Sequence, residues 1–154
     1  MAGNIDTRLA ALGITIATPP APAANYVPTV QVGDLVFISG QIAMNSAGMR
    51  VGKLGADASL EDGAAAARLC AINLISQLKG ACDGDLDRVQ RVIKLTGFVN
   101  ATPDFTDHPK VVNGASDLMV EVFGEAGRHA RAAVGNSSLP FGVMVEVEGI
   151  FQIA

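Results

Sequence analysis

Two apolar runs near the C-terminal end carry charge in positions where charge is expensive. Arg131 stands within Ala130-Arg131-Ala132-Ala133-Val134, and Glu146 and Glu148 stand within Val143-Met144-Val145-Glu146-Val147-Glu148-Gly149-Ile150, just after Ser138-Leu139-Pro140. An arginine inside an apolar strand needs a partner, because burying an unpaired charge is costly. Its planar guanidinium is a fork suited to gripping a carboxylate. A glutamate whose pKa is raised by burial can shuttle a proton or activate water. Strand alternation puts Glu146 and Glu148 on one face and Val143, Val145 and Val147 on the other. If the two runs pair, guanidinium and carboxylate lie close together, which is a small-molecule site in outline. Spacing alone leaves Arg131 either as a fork for a substrate carboxylate or in a structural ion pair with Glu146 or Glu148. Glu146 is likewise either a proton-handling group or a glutamate on a solvated face, and Glu148 reads as structural.

Other residues add weaker signals. Ser39-Gly40-Gln41 ends a strand, where glycine lets the backbone approach a ligand or simply makes a turn. Tyr26, the single tyrosine, offers a ring and a hydroxyl to cap a pocket. His108 and His129 lack partners at metal-ligand spacing and read as surface or cap residues. No zinc spacing, Ser-His-Asp order, P-loop or dinucleotide fingerprint is present, so neither a metal nor a cofactor is expected.

The elements that must position these residues follow from periodicity. Ile5, Leu9 and Leu12 make a short amphipathic helix over 4–13, stopped by Gly13. The Pro/Ala-rich stretch 17–24 reads as an extended connector. Strands are expected over 27–32 and 35–39 around a Gly33-Asp34 hairpin turn. Residues 45–48 form a second turn before a short strand over 49–54. Ser59-Leu60-Glu61-Asp62 opens the longest helix, with Ser59 as N-cap and Asp62 at the capping-box position; its run over 64–81 is apolar over more than half its circumference and must be covered on most sides. A strand over 89–99, a loop over 102–109, a helix over 111–123 and the strands of Arg131 and Glu146 complete the chain. The order β-β-β-α-β-α-β-β after a leading helix predicts an α+β layer architecture, with two helices on one face of a mixed sheet.

Composition bounds the function. The 154 residues suit one folded core, and the charged fraction of 17% is low against about 25% for an average soluble domain. A lone chain this short of charge exposes apolar surface, so identical subunits are expected to cover part of it. The net charge of −4 is no footprint for nucleic acid; Arg88, Arg91 and Lys94 form only a loose group on an expected strand. Cys70 and Cys82 lie about three helical turns apart, too far to bridge within one helix, and suit a reducing compartment. The first residues lack the basic and apolar segments of a secretory signal, and no apolar run is long enough to span a bilayer. The expectation is a cytoplasmic, soluble protein with no membrane or nucleic-acid partner.

Taken together, A-R-x-x-V from Ala130, Leu139-Pro140, V-E-V-E-G-I from Val145, and Ser39-Gly40-Gln41 thirteen positions after Tyr26 resemble the Rid/YjgF family of imine and enamine deaminases, formerly labelled L-PSP endoribonucleases. The resemblance covers 26–154; residues 1–25, the leading helix and connector, lie outside it and are expected either to cover the core or to shade a cleft mouth. It implies a chorismate-mutase-like fold and a homotrimer with ligand sites in clefts between subunits. It also implies cofactor-free hydrolysis of 2-imino acids to 2-keto acids and ammonia. In that scheme Arg131 binds the carboxylate, Glu146 orients the attacking water and Tyr26 lies at the pocket mouth, while backbone groups of Ser39, Gly40 and Ala133 complete the polar wall. Ala133 stands where the family often has cysteine, which excludes thiol chemistry there. The family's asparagine matches Asn113 only with a gap. The runner-up is a non-catalytic trimeric binder of small keto or imino acids; ribonuclease activity fits poorly with an acidic chain lacking a basic aromatic groove.

Overall fold

The computed structural model describes residues 3–19 and 24–154; half of the expected connector, residues 20–23, lies outside them. Gly33 adopts φ +62°, a conformation open to glycine at no steric cost, and turns β1 (Thr29–Val32) back onto β2 (Leu35–Ile42) in the register Val32↔Leu35. A two-residue ladder, β3 (Met44–Asn45) with β4 (Gly48–Met49), replaces the strand expected over 49–54, and Val51 and Leu54 make only isolated bridges. Then follow α2 (Leu60–Ala81), β5 (Val89–Asn100), α3 (His108–Phe123), β6 (Ala130–Asn136) and β7 (Val145–Ile153).

The expected capping box is present. The Ser59 hydroxyl accepts from the Asp62 N–H and the Asp62 carboxylate accepts from the Ser59 N–H, each at 3.1 Å. These bonds hold the Asp62 carboxyl below its ordinary value. From this start α2 buries Ala66, Ala67, Cys70, Ala71, Leu74, Ile75 and Leu78. It packs against α3 so closely that a Cβ on Gly114 would strike the Ala64 carbonyl. Cys70 and Cys82 are both buried and free.

The main sheet has the order β1-β2-β7-β5-β6. Only β5 and β6 are parallel, joined through α3 as a crossover unit, so the sheet is mixed. α2 and α3 cover one face. Val145, Val147, Phe151 and Ile153 of β7 point into that layer and are buried, while Glu146, Glu148, Ile150 and Gln152 take the opposite face.

Three expectations need correction. The strands of Arg131 and Glu146 do not pair; β5 lies between β6 and β7, because the crossover from β5 delivers β6 to its outer side. α3 begins at His108, not after a loop ending at Pro109, and Pro109 lies in its first turn, where a missing N–H costs nothing and a fixed φ suits the helix. Arg88 belongs to a 3₁₀ turn, Leu86–Arg88, rather than to the strand.

The leading helix α1 (Asn4–Ala11) docks on the helix layer, against α3 and the 86–88 turn. The Asp87 carboxylate caps it from a distance, accepting the N–H groups of Asn4 and Ile5 at 2.9 Å each, and those bonds lower its pKa. Leu9 is buried, and Lys79 meets Asp6 at 2.9 Å. Among the described residues no helix is long and apolar enough to cross a membrane.

Candidate functional site

Arg131 lies opposite Leu95 of β5 in the parallel register. Leu95 is buried in the core, so Arg131 points to the same side, toward α3. There Nη1 donates to Asn113 Oδ1 at 2.8 Å and Ser116 Oγ at 3.2 Å, and Nη2 donates to the Pro109 carbonyl at 3.4 Å. All three acceptors are neutral, and no carboxylate pairs with Arg131 among the described residues. The ion pair with Glu146 or Glu148 is therefore absent. Three of the five guanidinium donors are engaged, and Nε–H with the rest of Nη2 remains as an edge that can take both oxygens of a carboxylate. Ala133, two residues along, faces the same way opposite Gly97.

Glu146 lies opposite Phe98 of β5 and Ile42 of β2. Between Ile38 and Gln41 the register of β2 slips, so that Ser39 and Gly40 together oppose Glu148 in a bulge. The absence of a Cβ at Gly40 makes room for the Glu146 carboxylate, which a Cβ there would overlap. That carboxylate accepts no hydrogen bond from the described residues. Burial first, and the Glu148 charge second, push its pKa above the ordinary 4.5. A raised carboxylate is the better proton acceptor near neutral pH. Ser39 Oγ is buried without a partner among the described residues, and Ser39 N donates to the Pro28 carbonyl, which brings the bulge beside the segment of Tyr26. Tyr26 itself is 49% exposed. Val27, Pro28, Ser39, Thr96 and Glu148 line an open groove of about 310 Å³ on this face.

The six expected site residues thus fall into two groups. Arg131 pairs with Leu95 and Glu146 with Phe98, three residues apart on an uninterrupted stretch of β5. That odd separation puts their side chains on opposite faces of the sheet. Arg131 and Ala133 occupy the edge strand on the helix side; Glu146, Ser39 and Gly40 occupy the open side, with Tyr26 exposed nearby. A second groove, about 510 Å³, lies where β5 and β6 end and α3 begins, lined by Lys53, Thr102, Phe105, His108, Gly135 and Asn136. Lys53 Nζ donates there to Asn100 Oδ1 at 2.5 Å and the Ser137 carbonyl at 2.6 Å.

Residues 6–151 match the family described as "YjgF/chorismate_mutase-like, putative endoribonuclease". The chain belongs to the YjgF family. Protein TCP17 of Trypanosoma cruzi is 48% identical to it, covering 98% of this chain and 95% of that one. The 2-iminobutanoate/2-iminopropanoate deaminase of Escherichia coli K12 is 32% identical over 88% of this chain and 94% of its own. A crystal structure from Agrobacterium tumefaciens, of a protein of unknown function, superposes with a TM-score of 0.89 at 47% identity, covering 97% of this chain and 93% of that one.

Within this YjgF-family chain, Asn113 meets Arg131 directly, across the gap in the motif match. Ser116 and His129, by contrast, were not expected near the site. His129 is half-buried, not a surface residue: Nδ1 lies 2.6 Å from the Gly127 carbonyl and Nε2 lies 2.8 Å from Ser116 Oγ. The signal was available in the spacing. Asn113 and Ser116 share a helix face at i, i+3, and His129 and Arg131 share a strand face at i, i+2.

Proposed function

We propose that the protein hydrolyses reactive 2-imino acids, or their enamine tautomers, to 2-keto acids and ammonia without a cofactor. The observation that carries this reading is the free edge of Arg131, a guanidinium held by neutral oxygens and left able to grip a carboxylate. The named activity of the Escherichia coli relative supports the substrate class. Arg131 holds the carboxylate, and Glu146 takes a proton from water as its oxygen attacks the carbon of the protonated imine. Glu146 then returns that proton to the amino nitrogen of the carbinolamine, and as the C–N bond breaks ammonia leaves while the hydroxyl gives up its proton to become the keto oxygen. Holding water and imine together supplies much of the acceleration for a substrate already reactive in solution.

Arg131 and Glu146 face apart within one chain, so this chemistry requires the β6 edge of one copy to lie beside the open face of another. A homotrimer with clefts between subunits satisfies that requirement. Two features support it: β6 presents Ala130, Val134 and Gly135, small or uncharged and exposed, on an edge unpaired among the described residues. Val30 and Phe37, 50% and 41% exposed on the open face, add apolar surface that a copy would cover. The separation of the two groups also favours a second reading, a keto- or imino-acid binder that uses Arg131 alone.

The test measures ammonia and keto-acid release from imino acids generated enzymatically in situ, for wild type and Arg131→Ala. The expected result is acceleration by wild type and its loss, by about 100-fold or more, in the variant. Binding of 2-keto acids without acceleration, across small and bulky side chains, would establish the binder.

A further inference from the structure

Behind Arg131 a neutral His129 ring sets the direction of the hydrogen bonds. The Gly127 carbonyl only accepts, so His129 Nδ1 carries the ring hydrogen that joins them. The neutral ring then has a bare Nε2, and the Ser116 hydroxyl must donate to it. That commits the single hydrogen of Ser116 to His129 and leaves its lone pairs for Arg131 Nη1. Donating to the imidazole also makes the hydroxyl oxygen a stronger acceptor for the guanidinium. With Nη1 divided between Ser116 and Asn113, the guanidinium plane cannot rotate without breaking both bonds.

We propose that Ser116 and His129 are positioning residues for Arg131, a relay that fixes the guanidinium so that its Nε–Nη2 edge faces an incoming carboxylate. The inference rests on the carboxylate-binding role proposed for Arg131. The opposite ring tautomer, or the imidazolium, would aim a hydrogen at Ser116 and compete with Arg131 for the same oxygen. The surroundings keep the ring neutral: burial is the main cause lowering the His129 pKa below 6.5, the Gly127 bond opposes it, and the Arg131 charge adds to the lowering. Arg131 is the charge that acts on the ring. Arg128 meets Glu125 at 3.1 Å, and Arg91 of β5 donates to the Arg128 carbonyl at 3.1 Å. From α3 the ring meets the neutral Ser116.

The test has two arms. In the ligand-free protein at neutral pH, ¹⁵N NMR should show His129 as the Nδ1–H tautomer; an Nε2–H tautomer or a charged ring overturns the relay whatever the protein binds. In the second arm pyruvate, the simplest 2-oxo carboxylate, is titrated into wild type and variants. Ser116→Ala and His129→Leu should each weaken binding about 10-fold, and the double variant no further, since both cut one chain of bonds. His129→Gln, whose amide oxygen can accept the Ser116 hydrogen, should recover affinity to within about threefold of wild type. In turnover the loss should appear in KM with kcat little changed. Equal loss in His129→Gln and His129→Leu would reduce His129 to packing and overturn the proposal, as would unchanged affinity in both. If wild type neither binds pyruvate nor hydrolyses imino acids, the functional reading fails, and the relay is then decided by the tautomer and by whether Ser116→Ala speeds solvent exchange of the Arg131 guanidinium hydrogens.

Discussion

On the helix side of the sheet, Arg131 is held by three neutral oxygens from α3, and the network behind it runs on to His129. On the open side, Glu146 sits over the bare Cα of Gly40, with a second carboxylate nearby and no hydrogen-bond donor among the described residues. The first arrangement is finished within one chain and the second is not. A preorganised cation binds an anion without first paying to order itself. A half-buried, unpartnered carboxylate is costly to stability and persists more readily where it has work to do. Under the proposed function the contrast is a division of labour, with binding on the edge strand and proton transfer on the open face.

Substitutions on the open side should therefore change rate rather than binding. Glu146→Gln should lower kcat on imino acids by about 10² to 10⁴-fold while 2-keto-acid affinity stays near wild type, read from steady-state kinetics and calorimetry. An equal loss of affinity would place Glu146 in binding instead. Gly40→Ala is the gentler form of the same experiment. Its methyl would displace the Glu146 carboxylate, the mobile end of a side chain, without forcing the backbone apart. The fold should survive and kcat should fall about 100-fold.

The smallest effects concern pH. Burial and the Glu148 charge raise the Glu146 pKa, and the reaction needs the ionised form, so activity should fall as pH drops through that raised value. Glu148→Gln removes the secondary cause and should move the acid limb to lower pH, without bringing it to that of a free carboxylate. For stability the sign is reversed from that of a salt-bridged acid. The native state holds this proton more tightly than the unfolded chain, so stability is lost as pH rises from the unfolded pKa through the raised native one. Glu146→Gln should accordingly melt higher than wild type at neutral pH and match it near about pH 3, where the wild-type group is protonated in both states.

Local chemistry in the sequence anticipated the elements that local chemistry controls. The Gly33-Asp34 hairpin, the Ser59/Asp62 capping box and the alternation of β7 each depend on residues within a few positions of one another. The neighbours of β6 do not: that it lies beside β5 rather than β7 is decided by a crossover through α3, and no pattern within Arg131's or Glu146's own strand records it. Pro109 misled for a different reason, since a residue that breaks helix interiors is favoured in a first turn. Of the site, the residue types at Arg131 and Glu146 were readable, whereas their placement on opposite faces depended on the intervening strand. His129 looked like surface because Ser116 is an ordinary residue that meets it only when α3 folds over β6.

The central claim is that Arg131 of one copy works with Glu146 of another. Arg131→Ala and Glu146→Gln chains, each inactive alone, should be unfolded together and refolded as an equal mixture, and imino-acid hydrolysis then measured. In a randomly assembled ring about a quarter of the clefts pair an intact Arg131 with an intact Glu146, so activity should return to about a quarter of wild type. A mixture as inactive as its parents, with mixed oligomers verified by mass spectrometry, would contradict the shared site.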